Sequence, residues 1–191
     1  MRQRASIAFS ILVTLSFAAT TVHAGSDWPF VPADFQVPAT LEKPTYRLRM
    51  LTVNDVVKDY DAVMSSATHI QDVGPPGMTW PTGLTFEEDL IDLGWHQKEF
   101  INRTSFAYTV VTPDESRVLG CVYINPTRKE GADAAVSLWT RPPEQLEFLD
   151  EARLRADVRA WLKKDWPFEN PVFPGKDISW ADWSSLPEHP R

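Results

Sequence analysis

The sequence predicts a single mixed α/β (α+β) domain behind a cleavable leader. Three observations carry that expectation. The apolar pattern changes from period two to period 3.6 and back within one chain of 191 residues, a length that suits one domain. Two capping signatures open helical stretches, and three closely spaced apolar runs follow the second. The first 24 residues have the three-part build of a secretory signal.

In that leader, Arg2 and Arg4 supply the positive start and residues 7–19 the apolar run. Val22-His23-Ala24 is the small-x-small cleavage site, so cleavage is expected after Ala24. The apolar run is too short to cross ~30 Å of hydrocarbon as a helix. The expectation is an exported protein, periplasmic or extracellular, with no permanent membrane anchor. The remainder divides into an extended lead rich in proline and aromatic residues (25–45), a folded domain (46–175) and a tail (176–191).

Residues 46–50 alternate apolar and charged side chains, which predicts a half-buried strand. Thr52 and Asp55 form a capping box with Asp in place of the usual Glu. The helix they open runs to about Ser65, with Val53, Val56, Val57, Tyr60, Val63 and Met64 as its apolar stripe. Residues 72–84 hold three prolines and three glycines and read as loop. Thr85 and Glu88 are a full capping box. The second helix ends near Asn102, with Phe86, Leu90, Leu93 and Phe100 near one face.

Strands are expected at 106–112, 118–124 and 134–140, with a turn over 113–116 between the first two. Short connections make them an antiparallel meander. A helix over 150–164 follows, with Leu154, Val158, Trp161 and Leu162 on one face. Val172-Phe173 is a short last strand, and the tail from Lys176 shows no clear element.

The net charge of −7 excludes a nucleic-acid or anionic-lipid partner held by clustered cations. The one basic cluster, Arg128-Lys129, is followed at once by Glu130. Cys121 is the only cysteine, so no intramolecular disulfide is possible, and its apolar surroundings read as core. His69, His96 and His189 are too scattered for a metal centre, and none is expected. His96 and Glu99, three apart on a helix, read as a solvated or capping pair. Asn102-Arg103-Thr104 matches a glycosylation acceptor. No nucleophile elbow, Walker loop or dinucleotide fingerprint is present.

The order strand, helix, helix, three-strand meander, helix, strand resembles the GNAT superfamily of acyl-CoA-dependent N-acyltransferases. The resemblance covers residues 46–175. Residues 46–51 with Thr52-x-x-Asp55 are similar to the family's first strand and helix start. Val118-Leu119-Gly120-Cys121-Val122 is similar to its third strand, with the frequent glycine. It implies a mostly antiparallel sheet whose fourth and fifth strands splay apart, with acetyl-CoA in the gap and an amine as acyl acceptor. It also implies a tyrosine as general acid to the departing thiolate, for which Tyr108 and Tyr123 are the candidates, with Asp133 a weaker candidate base. Trp139, Thr140 and Arg141 close the fourth strand and are the candidates for lining the cofactor pocket.

One segment departs from the family. Its Arg/Gln-x-x-Gly-x-Gly/Ala loop, which receives a pyrophosphate, is replaced by Arg141-Pro142-Pro143-Glu144-Gln145-Leu146-Glu147. Prolines remove amide donors. Glu144, Glu147, Asp150 and Glu151 stand where a diphosphate would sit at the helix start. Two like charges ~4 Å apart repel by roughly 4 kcal/mol at an effective dielectric of 20. The sequence therefore supports two functions: an N-acetyltransferase, or a non-catalytic binding module of the cell envelope that uses the same cleft.

Overall fold

A computed structural model describes residues 30–189. The leader, its cleavage site and the first residues of the lead lie outside that range. None of the helices described is long and apolar enough to cross a membrane.

The described chain forms one six-stranded sheet in the order β1-β2-β3-β4-β5-β6. The strands are β1 (Thr40–Glu42), β2 (Arg47–Met50), β3 (Phe106–Val111), β4 (Val118–Asn125), β5 (Ala134–Thr140) and β6 (Pro171–Val172). All neighbours are antiparallel except β5 and β6. The helices are α1 (Val56–Ser65), α2 (Ala67–Val73), α3 (Phe86–Asn102), α4 (Glu151–Asp165) and α5 (Trp180–Ser185). Strands and long helices fall where periodicity places them. The additions are β1 within the lead, α2 before the proline-rich loop and α5 in the tail. Each is short and draws its order from packing, which local pattern does not report. The last strand is displaced by one residue, Pro171–Val172 instead of 172–173.

The capping boxes act as their spacing predicts. Thr85 Oγ1 accepts from Glu88 N at 3.2 Å, and Glu88 Oε2 accepts from Thr85 N at 2.8 Å. Asp55 Oδ2 accepts from Thr52 N at 3.0 Å and opens a 3-10 turn that runs into α1.

Strand alternation sends side chains to two cores. Phe106, Tyr108, Val122, Ile124 and Val136 meet α4 through Leu154, Val158, Trp161 and Leu162. Ala107, Val111, Cys121 and Trp139 meet α1, α2 and α3 through Ala62, Val63, Ile70 and Leu93. So α4 covers one face and α1 to α3 the other. Cys121 is fully buried, as its apolar run predicts.

The α1 stripe departs from expectation. Val57 is 70% exposed, while Asp59, Ala62 and Val63 are the buried residues. The helix turns an acid, Asp59, inward.

Gly120 sits where β4 meets the end of β5, opposite Thr140. A Cβ there would lie 2.1 Å from Trp139 O and 2.9 Å from Thr140 Cα, both backbone atoms that cannot swing away. Gly120→Ala is expected to cost about 3 kcal/mol, read as a lower urea midpoint with an unchanged slope.

Candidate functional site

The β5–β6 pairing is brief. Only Ala134 and Ala135 pair with Pro171 and Val172. Beyond them the two strands part, and the β5 edge from Val136 to Trp139 faces a cavity of about 410 Å³. This is the splay expected between the family's fourth and fifth strands. Phe173, Pro174 and Trp180 form its far wall.

The cavity has two electrostatically different ends. At the α4 end stand Glu151, Arg155 and Lys176. These satisfy one another: Glu151 Oε1 lies 2.8 Å from Arg155 Nη1 and 3.0 Å from Lys176 Nζ. At the α1–α3 end stand Asp59, Asp89 and Asp92, with His96 beside them. Among the described residues, none of these three aspartates forms an ion pair. Asp59 is 4% exposed and Asp89 2%. Asp59 Oδ1 and Asp89 Oδ2 are buried without a hydrogen-bond partner.

A buried carboxylate without a partner is costly, and the protein's response is to hold its proton. Burial, and then the Asp89 charge, pushes Asp59 up to about 8. Burial, and then Asp92, pushes Asp89 up to about 6. These two shifted groups come from different helices and converge on one cavity.

Tyr123 and Trp139 lie between the two ends, on the sheet. Trp139 Nε1 donates to Tyr123 Oη at 3.4 Å, and the His96 ring lies 5.1 Å from the Tyr123 ring, centroid to centroid. Burial raises the Tyr123 phenol well above its ordinary range, so it keeps its proton at neutral pH. The remaining wall is apolar, including Leu51, Ile70, Met78, Trp80 and Leu93.

The structure brings together two of the six residues singled out from sequence, Tyr123 and Trp139. Tyr108 points to the α4 core instead, where its hydroxyl donates to Pro38 O at 2.6 Å and Trp161 packs on its ring. The reason is strand alternation: Tyr108 is paired with Val122, one position from Tyr123, and so faces the other side. Thr140 is buried in the β4–β5 ladder opposite Gly120. Arg141 is 3% exposed and its guanidinium is spent on protein. Its donors reach Val118 O at 2.7 Å, Ser65 Oγ at 2.7 Å, Gln145 Oε1 at 3.1 Å and the Asp61 carboxylate. Asp133 accepts from the backbone amides of Glu169 and Asn170 and serves as a loop brace.

Asp59, Asp89, Asp92 and Trp80 were not singled out by sequence. A signal existed. Asp89 stands four before Leu93 and seven before His96, on the buried face of α3, where an acid is out of place.

The fold implies acetyl-CoA, and its diphosphate can be tested against the α4 N-terminus. Asp150 already caps that helix, its Oδ1 accepting from Arg153 N at 2.6 Å. Arg153 Nε is held by Asp157 at 2.9 Å. Glu147 and Asp150 line the groove outside, and Pro142 and Pro143 lack amide donors. A diphosphate does not fit this cradle. The strand gap that would take the thioester arm is present.

No protein-family model and no curated protein matches the sequence. Among solved structures, the ribosomal-protein-S5-alanine acetyltransferase from Vibrio fischeri is similar over 66% of this chain and 68% of that one, with 17% identity and a TM-score of 0.52. The microcin C7 self-immunity acetyltransferase MccE, solved with acetyl-CoA and AMP, matches over 67% of each chain at 9% identity and a TM-score of 0.52. A Salmonella typhimurium acetyltransferase that modifies the N-terminal serine of a 50S ribosomal subunit protein matches over 66% and 70%, at 13% identity and a TM-score of 0.50. The fold is GNAT-like, as the element order predicts.

Proposed function

From a GNAT-like fold with an open strand gap, we propose that this protein transfers an acyl group from a thioester to an amine. The observation that carries the reading is the gap itself. The free β5 edge opens into the cavity that holds Tyr123 and, beyond it, the three aspartates. In such a transfer the amine nitrogen bonds to the acyl carbon, the carbon–sulfur bond breaks, and the thiolate takes a proton. Tyr123 is a protonated hydroxyl in the right cavity to donate it. Asp92, which lines the same cavity, takes the proton the amine sheds.

The donor is read as a thioester arm with little help from a nucleotide diphosphate, because Asp150 fills the α4 N-terminus. Export, which the leader predicts, supports the same reading, since acetyl-CoA is a cytosolic metabolite. The test is thiol release from acetyl-CoA and from S-acetyl-N-acetylcysteamine across a panel of amines. The two donors are expected to agree within about threefold in kcat/KM, a difference under about 1 kcal/mol of transition-state binding. Tyr123→Phe is expected to lower kcat about 100-fold, the usual size of a lost general acid. No release from either donor with any amine removes the proposal.

A second reading, a non-catalytic binding module of the cell envelope, is favoured by that filled helix terminus. It expects amines to bind in the cavity without turnover.

A further inference from the structure

We infer that the acid-lined end of the cavity is a site for an aliphatic diamine, one nitrogen held as ammonium by Asp59 and Asp89 and the other left free to react. This rests on the acyl-transfer reading for the fate of the second nitrogen, but not for the binding of the first.

The first step is the missing positive charge. Asp59 comes from α1 and Asp89 from α3; both residues line the cavity, and each has a buried oxygen that meets no partner among the described residues. Leaving such groups unpaired costs free energy, so their presence in a cavity points to a ligand that pairs them. No described residue supplies that partner. Arg155 and Lys176 line the same cavity but belong to Glu151 at its other end. Among the described residues, Arg141 is the cation whose field reaches Asp59, and its donors are committed to Val118, Ser65, Gln145 and Asp61. The other polar groups at this end are Asp92 and His96 from α3 and Tyr123 from the sheet. None is a permanent cation.

The second step is the body of the ligand. Around the aspartates the wall is Leu51, Ile70, Met78, Trp80 and Leu93. Methylene groups suit that wall, and the face of Trp80 favours a nearby ammonium. A ligand with its own carboxylate or phosphate would meet three aspartates, which like-charge repulsion disfavours.

The third step is chemical. An ammonium has no lone pair and cannot attack a thioester. The nitrogen that pairs with the aspartates is therefore not the nitrogen that is acylated. Two amino groups on one chain separate the tasks, and Tyr123 and Trp139, between the two ends of the cavity, mark where the second would arrive.

The test uses the full mature chain without any thioester. Titration calorimetry compares α,ω-diamines of three to six carbons with the monoamines of the same length. At least one diamine is expected to bind about 10-fold more tightly than its monoamine, because its second nitrogen accepts a hydrogen bond from the Tyr123 hydroxyl that the monoamine leaves unmade. Asp59→Asn and Asp89→Asn are each expected to weaken that binding about 10-fold or more, with far-UV circular dichroism unchanged. Calorimetry in two buffers of different ionisation enthalpy adds a second readout, in which binding to the wild type releases protons and binding to Asp59→Asn releases fewer. Equal affinity for diamines and monoamines, or affinity indifferent to both substitutions, overturns the inference. Failure of the two proposals is distinguishable. Diamine binding without acyl transfer removes the transfer reading and keeps the site. Acyl transfer to monoamines as efficient as to diamines does the reverse.

Discussion

Asp59→Asn is expected to raise the melting temperature of the ligand-free protein at pH 8 by about 5–10 °C, while its amine affinity falls. The gain comes from removing a carboxyl that folding must bury. Asp59 shifts from an ordinary 3.8 to about 8, so the folded state holds a proton that the unfolded state gives up. Stability then falls as pH rises between those two values, because the folded state binds more protons there. The penalty is absent below about pH 4 and complete above about pH 8, and it is on the order of 3 kcal/mol. Asp89 adds a smaller slope of the same sign up to about pH 6.

An opposing slope begins at lower pH. Burial alone would raise Asp157, but hydrogen bonds from Lys43, Arg153 and Tyr46 together hold it at about 2. Its contribution is present above the ordinary aspartate value and is lost as pH falls toward 2. The wild type should therefore melt highest near pH 4, and distinctly lower at pH 8.5. In Asp59→Asn the decline between pH 5 and 8.5 should largely vanish. Melting followed by circular dichroism from below pH 4 to pH 8.5 checks both. A wild type as stable at pH 8.5 as at pH 5 would show that Asp59 is not the buried, unpaired acid described above.

The other large effect is at Arg141. Arg141→Ala is expected to cost about 2–3 kcal/mol, because it removes a buried guanidinium that serves four acceptors, although Asp61 is 70% exposed and water takes its place there. One of them is Val118 O in β4, another Ser65 Oγ at the end of α1, and a third Gln145 Oε1 in the 3-10 turn before α4. The side chain therefore ties a strand, a helix and the loop that leads to α4. Urea unfolding reads the loss directly, and a variant that accumulates only as insoluble protein agrees with it. Arg141→Lys should recover part of the midpoint, since the charge stays but the planar fork does not. An Arg141→Ala protein of wild-type stability with a raised KM for the thioester would assign the residue to donor binding instead.

Much of the fold is legible in the chain before any coordinates. Thr85 and Glu88 announce α3, and the run of residues 134–140 is a strand in both readings. Asp150 stands as an acid at the helix start, and it is the cap of α4. These are local signals, set by backbone hydrogen bonding and by the period of the apolar residues.

The site was legible only in part, for a specific reason. Periodicity assigns faces by counting apolar residues, and α1 spreads them over both of its sides. Val57 and Met64 are outside, and Asp59 is inside. A helix that lines a functional cavity breaks the rule used to find its buried face. Tyr108 and Tyr123 looked alike on adjacent strands, and register alone separates them, since a side chain one position along a strand points to the opposite face.

The amino-acid sequence by itself determined the GNAT-like order of elements and the acidic, proline-led start of α4, because caps, prolines and acids act on their near neighbours. Only the tertiary structure decided that Asp59 and Asp89, thirty residues apart in the chain, share one cavity with Tyr123. That meeting depends on how α1 and α3 pack on the sheet, and packing between distant segments leaves no local trace.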